Sequence, residues 1–158
     1  MAEAVAAAVA VLVISVNVSP TVANAMEQVP VFGAIVKIVN FTTYSDKQEK
    51  KQMEATVKVP EVKVIGTDGK PLTRESKELN AAVSGYLDKI IQMYKKDVAA
   101  VSDGEEGHEE ITSDYRIVTN NERLFSLRVD TVIAMGGSDS FTKIYNIDKK
   151  TGKMITLK

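Results

Sequence analysis

Apolar positions follow two periods along this chain. Ala55, Val57 and Val59 alternate with Thr56 and Lys58, and Val62 and Val64 resume the alternation one step out of phase after Pro60. A period of two predicts a strand, and a proline within it predicts an edge or bulged strand. Thr67-Asp68-Gly69-Lys70-Pro71 reads as a turn. From Thr73 to Val101 the period changes. Leu79, Val83, Leu87, Ile90, Tyr94, Val98 and Val101 recur every three or four residues, and Tyr86 and Ile91 widen the stripe. This predicts one long amphipathic helix, stopped at Ser102-Asp103-Gly104. Glu75 and Glu78 near its start and Lys95 and Lys96 near its end suit the helix dipole. Alternation then returns in Ile111–Ile117, Phe125–Ile133, Phe141–Ile147 and Met154–Leu157. Asn120-Asn121-Glu122 and Met135–Asp139 are turns, and Asp148–Lys153 is a hairpin loop with Gly152 placed for a positive φ. Short turns imply antiparallel neighbours. The expected fold is α+β, with one long helix on an antiparallel sheet of about four to five strands.

The N-terminal part reads differently. Ala4 to Met26 carries no charged side chain, and Ala4–Ile14 is unbroken Ala, Val, Leu and Ile. Three readings fit. One is a signal-peptide core ending at the small-x-small site Ala23-Asn24-Ala25, with Pro20 breaking the helix ahead of it. One is the outer part of a transmembrane helix. One is a buried core helix or strand. The expected organisation is an apolar N-terminal helix, transmembrane or signal-like, over 1–26. A juxtamembrane helix and charged connector then fill 27–53, and the α+β module occupies 54–158. In the second segment Phe32, Ile35, Val36 and Val39 share a helical face, with Pro30 in the first turn. That helix would lie on the domain core or on the membrane surface. Asp46–Met53 reads as the charged connector.

Composition narrows the chemistry. The 158 residues hold 20 Lys+Arg against 21 Asp+Glu, which argues against a strongly basic nucleic-acid binder. No Cys and a single His exclude a disulfide scaffold, a zinc finger, a thiol nucleophile and a His-rich metal site. Absence of Trp leaves few stacking platforms. No cofactor is expected.

The densest cluster of charge is acidic. Asp103, Glu105, Glu106, Glu109 and Glu110 surround a loop with Gly104 and Gly107, and Asp114 follows. Their spacing departs from an EF-hand. A solvated loop, a docking patch for a basic partner and a weak cation site remain open for it. His108 stands among these carboxylates without a second His or Cys. Gly136-Gly137-Ser138 lacks the Lys-Ser/Thr ending of a phosphate loop. Nothing selects catalytic residues, and a non-enzymatic role is expected.

Several stretches resemble a known family. Val16-Asn17-Val18-Ser19-Pro20, Val22–Met26 and Val29–Lys37 resemble the segment just outside the single membrane helix of lysozyme-sensing anti-sigma factors of the sigma-V type. Leu124–Arg128 and Tyr145–Lys153 resemble the extracytoplasmic module that follows, one shared with PdaC-type peptidoglycan deacetylases. The resemblance implies a sensor at the extracytoplasmic face of the cell membrane, single-pass anchored in the full-length protein. Its partner would be a protein, lysozyme in the family's case. Signal peptidase would cut at Ala23 and Ala25, and proteolysis would release a sigma factor. That sigma factor would be held only by a cytoplasmic region absent here, before Met1. A second extracytoplasmic domain normally follows the Gly-Lys-Met-Ile-Thr-Leu segment in the family. The alternative role is an accessory, non-catalytic cell-wall domain of a deacetylase-type protein. A free secreted binder is a third.

Overall fold

The computed structural model describes residues 12–17 and 33–156. In chain order the elements are β1 (Leu12–Asn17), β2 (Ile35–Gln48), a 3-10 turn (Glu49–Lys51), β3 (Met53–Ile65), α1 (Thr73–Ala100), β4 (Glu109–Asn120), β5 (Leu124–Met135), β6 (Ser138–Asp148) and β7 (Lys153–Ile155). The seven strands form one sheet in sequence order. Six of them lie between Ile35 and Ile155, and β1 is laid along the outside of β2. The α+β class stands, but the sheet is larger than the four to five strands expected.

The sheet is also mixed rather than antiparallel. β3 and β4 run parallel, with Met53–Val57 beside Glu109–Ser113, while every other neighbouring pair is antiparallel. The cause is the connection. A parallel pair needs a long crossover, and α1 with its flanking loops supplies one.

Ile35–Gln48 forms a strand, not the expected juxtamembrane helix. Its Ile, Val, Phe and Thr residues are strand formers, and β3 provides a partner along nearly its whole length. The expected charged connector is the end of this hairpin: Asp46–Gln48 belong to β2, and Glu49–Lys51 make the turn. Leu12–Asn17 pairs antiparallel with Asn40–Ser45, so this part of the apolar leader is a strand rather than a helix. The rest of that leader, residues 1–11 and 18–32, lies outside the described residues. Among the described residues no helix is long and apolar enough to cross a membrane.

Burial along β3 changes phase at Pro60: Met53, Ala55 and Val57 are buried before it, and Pro60, Val62 and Val64 from there on. The β3–β4 ladder ends at Val57 and Ser113. Beyond it the free side of β3 is closed by the helix. Asn80 accepts from Val62 N–H at 2.8 Å and donates to the Val62 carbonyl at 2.9 Å. Val64 N–H donates to Ser76 Oγ at 2.9 Å, and Leu72 N–H donates to the Val64 carbonyl at 2.9 Å. Pro60 is two residues before Val62, so its nitrogen faces this same side, where no strand requires an N–H. The Lys58–Asp114 ion pair, 2.9 Å, spans the point where the strands part.

The helix buries Leu79, Val83, Leu87, Ile91 and Tyr94 against Ala55, Val57, Val62, Val64, Ile111, Phe125, Leu127, Val129 and Ile147. It is tied to the far strands by Tyr86 Oη donating to Thr131 Oγ1 at 3.2 Å and Tyr145 Oη donating to the Ala82 carbonyl at 3.1 Å. Gly152 has φ +72 in the β6–β7 loop, as its position predicts, and Leu72 fills the space beside it. Asn80 replaces a missing strand, so its loss leaves both polar groups of buried Val62 without partners. Asn80→Ala should therefore cost about 1–3 kcal/mol in urea-induced unfolding. An unchanged midpoint and slope would refute this role.

Candidate functional site

The end of the sheet where β3 and β4 run parallel carries the acidic residues. Helix α1 ends above it. Lys51, in the 3-10 turn, donates through Nζ to the Val98 carbonyl (2.8 Å) and the Val101 carbonyl (2.7 Å). It thereby satisfies carbonyls that a helix C-terminus leaves bare and places a cation at the negative end of the dipole. The loop beyond is anchored to the same turn. Gly107 N–H donates to the Lys51 carbonyl at 2.7 Å, and Glu109 N–H donates to the Gln52 carbonyl at 3.2 Å. Gly107 lies so close to Met53 and Val101 that a Cβ there would collide with both. Gln52 and His108 both adopt left-handed backbone, φ +49 and +50. The loop is thus pinned at Gly107.

The five predicted acidic residues separate. Asp103, Glu105 and Glu106 are exposed on the loop, and Glu110 is exposed at the start of β4. His108 Nε2 lies 2.8 Å from Glu106 Oε2, and both side chains are solvent-accessible. Glu109 is buried, only 2% exposed. Neither of its carboxylate oxygens has a hydrogen-bond partner among the described residues, nor does the hydroxyl of buried Tyr94. Burial, and then Asp97, hold the Glu109 carboxyl above the usual carboxylate range.

The β2–β3 hairpin adds acidic residues that sequence reading left out. The parallel register puts Glu54 beside Glu110 and Met53 beside Glu109. A groove of about 540 Å³ runs across this end, lined by Glu49, Glu54, Glu109 and Glu110 with Lys47 and His108. Lys47 sits 3.7 Å from Glu49 on the exposed surface. Nothing local in the sequence joins Glu54 to Glu110, since only the crossover brings them together. On the helix side of this end, Tyr44 Oη donates to Asp46 Oδ2 at 3.2 Å and Gln48 Nε2 donates to Asp46 Oδ1 at 2.7 Å. Burial and then Asp46 push the Tyr44 hydroxyl up to about 12. Lys95 Nζ lies 5.3 Å from the centre of the Tyr44 ring.

Elsewhere the charge is mixed. On the face of the sheet away from the helix, Asp130 lies between Arg128 (2.7 Å) and Arg116 (3.7 Å). The Thr142 hydroxyl foremost, with Arg128 and Arg116, holds its carboxyl below the usual range. No group of three or more His, Asp or Glu residues among the described ones could hold a metal ion. The grooved end has the chemistry to receive basic side chains. Ala23 and Ala25, the expected cleavage positions, lie outside the described residues.

A titration separates Glu109 from its exposed neighbours. Its folded-state carboxyl holds its proton more tightly than the unfolded chain does. The resulting penalty on stability grows as pH rises above 4.5, the ordinary Glu value, and levels off above the folded-state value. Glu109→Gln removes it. Thermal unfolding followed by circular dichroism should show a variant more stable than the parent at pH 8, by about 2–4 °C for each kcal/mol recovered. The gap should close towards pH 4, and a gap independent of pH would contradict the assignment.

No family model matches the chain. Among curated proteins it is similar to the anti-sigma-V factor RsiV of Bacillus subtilis (strain 168), with 34% identity over 144 residues, 90% of this chain and 47% of that protein. The chain thus spans about half the length of that relative. Two solved structures overlap more loosely. A DUF3298-family protein from Pseudomonas aeruginosa has 10% identity over 77% of this chain and 55% of its own, with a TM-score of 0.44. A DUF3298-family member from Bacteroides fragilis has 12% identity over 80% of this chain and 60% of its own, with a TM-score of 0.40.

Proposed function

This chain is homologous over 90% of its length to part of the anti-sigma-V factor RsiV, and from that premise we propose that it is the extracytoplasmic sensor module of a membrane-anchored anti-sigma factor. The homology carries the reading, since it spans nine-tenths of the chain. In this reading the module works by being bound. Its cell-envelope signal is a basic protein such as lysozyme, and binding licenses proteolysis that frees a sigma factor held by another part of the protein.

The acidic end supports a basic partner. Glu49, Glu54 and Glu110 line one groove, and Glu105 and Glu106 are exposed on the loop that leads to His108 in its lining, in a chain whose overall formal charge is only -1. Charge concentrated in this way steers encounter and selects partners more than it adds affinity. The anchored state also sets a condition on β1. Leu12–Asn17 cannot lie in lipid and pair with β2 at once, so anchoring through 1–26 requires that strand to leave the edge of the sheet. Cleavage near Ala23-Asn24-Ala25 would then detach the body from its anchor.

Titration calorimetry of the chain with lysozyme should give a saturable heat. The combined variant Glu105→Lys, Glu106→Lys, Glu110→Lys should slow association about ten-fold at low ionic strength, a difference that shrinks as salt is raised. No heat at high-micromolar protein would remove lysozyme as the partner. Processing is tested separately. In membranes that contain signal peptidase, Ala25→Trp should block appearance of the shortened product, and unchanged processing would eliminate the cleavage site.

A further inference from the structure

The chain enters the body at one end of the sheet. Ala34 N–H donates to the Lys149 carbonyl at 2.5 Å, and Lys149 N–H donates to the Arg123 carbonyl at 2.9 Å. Gly33 lies against the Glu122 and Lys149 carbonyls, where an added Cβ would stand 3.0 Å from each oxygen. The start of β2 is therefore held between the β4–β5 turn and the β6–β7 loop. From there β2 runs 14 residues, about 40 Å of strand, to the hairpin beside the acidic groove. Entry point and groove lie at opposite ends of that strand.

The two ends differ in charge. At the entry end Arg123, Lys150 and Lys153 are exposed, and Lys149 is half-buried. Glu122 is exposed beside them, but Asp148 is half-buried and engaged within its own turn. It accepts from Lys150 N–H at 2.9 Å and from the Thr151 hydroxyl at 3.1 Å. The β3–α1 loop meets this end where Leu72 packs beside Gly152, and its Asp68 and Lys70, 3.9 Å apart, offset one another. At the far end the exposed carboxylates are Glu49, Glu54, Asp103, Glu105, Glu106 and Glu110, against Lys47 and Lys50 in the same hairpin. An anionic surface attracts the first end and repels the second, so it orients the body as well as holding it.

We propose that Arg123, Lys150 and Lys153 seat the entry end of the body on anionic lipid headgroups beside the anchor, with the acidic groove turned away from the bilayer. The inference rests on the anchored reading, in which the leader ends at Met26. The chain from Met26 to Gly33 spans at most about 25 Å, so the entry end stays close to the lipid. Attraction between such charges acts within a Debye length, about 8 Å at physiological ionic strength, so these loops meet the headgroups directly. The groove, a strand's length further out, is presented to proteins that arrive from outside.

The chain contains no cysteine, so a single introduced thiol carries a fluorophore cleanly. Thr151→Cys marks the entry end and Glu105→Cys the far end. The labelled full chain is reconstituted into phosphatidylcholine vesicles, with or without phosphatidylglycerol, that carry a nitroxide quencher at the headgroup. With phosphatidylglycerol present, the label at 151 should be quenched several-fold more than the label at 105. Arg123→Glu, Lys150→Glu and Lys153→Glu together should remove most of that quenching, as should about 1 M salt, where the Debye length falls to about 3 Å. Equal quenching at the two positions, or quenching at 151 that survives charge reversal, overturns the proposal. So does quenching at 151 that is as strong without phosphatidylglycerol. Flotation on phosphatidylcholine alone reports the anchor separately. A chain that floats there, yet shows no quenching at 151 with phosphatidylglycerol, removes the docking and leaves the anchor standing. A chain that floats only with phosphatidylglycerol, and loses flotation on charge reversal, supports the docking and removes the anchor; flotation on neither overturns both. Each variant's circular dichroism spectrum should match that of the parent, because all these positions are exposed.

Discussion

The structure depends on how β3 and β4 meet and part. They share five residue pairs, Met53–Val57 with Glu109–Ser113, and then diverge. A parallel pair that short would leave the inner side of β3 with unpaired backbone, which is costly where it is buried. Helix α1 answers this with side chains instead of a strand. The Asn80 amide presents a donor and an acceptor to Val62, and the Ser76 hydroxyl accepts from Val64. The same helix buries Leu79, Val83 and Leu87 against both halves of the sheet. One element therefore provides the apolar core, the crossover that makes the parallel pair, and the hydrogen bonds that close the gap.

That geometry sets the electrostatics of the opposite end. Where β3 and β4 do pair, the β2–β3 hairpin and the loop after α1 are brought side by side, and their carboxylates with them. Lys51 serves both: its side chain neutralises the helix C-terminus and its carbonyl anchors the loop. With that cation occupied by the helix, the groove keeps its acidic character. Glu109 is enclosed under the helix end with Asp97 nearby, and both hold its carboxyl above the usual carboxylate range. Exposed carboxylates on the rim and an enclosed one beneath them are different chemical objects, although they adjoin in sequence.

The helix and the C-terminal strands were legible because their apolar residues repeat with one period only. Leu79–Tyr94 fits no strand, and Phe125–Ile133 fits no helix. Phe32, Ile35, Val36 and Val39 also fit a helix, yet Ile35–Gln48 is a strand, because a run rich in β-branched residues satisfies both periods and its partner decides. The acidic loop was visible as a cluster, but its division was not. Extending the alternation of Ile111 and Ser113 back by two residues places Glu109 on the buried face, so the signal was present. Its charge argued for solvent, and packing under the helix outweighed it.

By itself the sequence settled which stretches from Met53 onward are helix and strand, where most turns fall, which helix face is buried, and a resemblance that the relationship to an anti-sigma factor bears out. These depend on local spacing and on residue identity. The tertiary structure alone decided the parallel pairing of β3 with β4, the meeting of Glu54 with Glu110 and the enclosure of Glu109. Each of these joins or leaves apart segments distant along the chain, and such relations arise only when the helix closes the crossover and fixes which strand lies beside which.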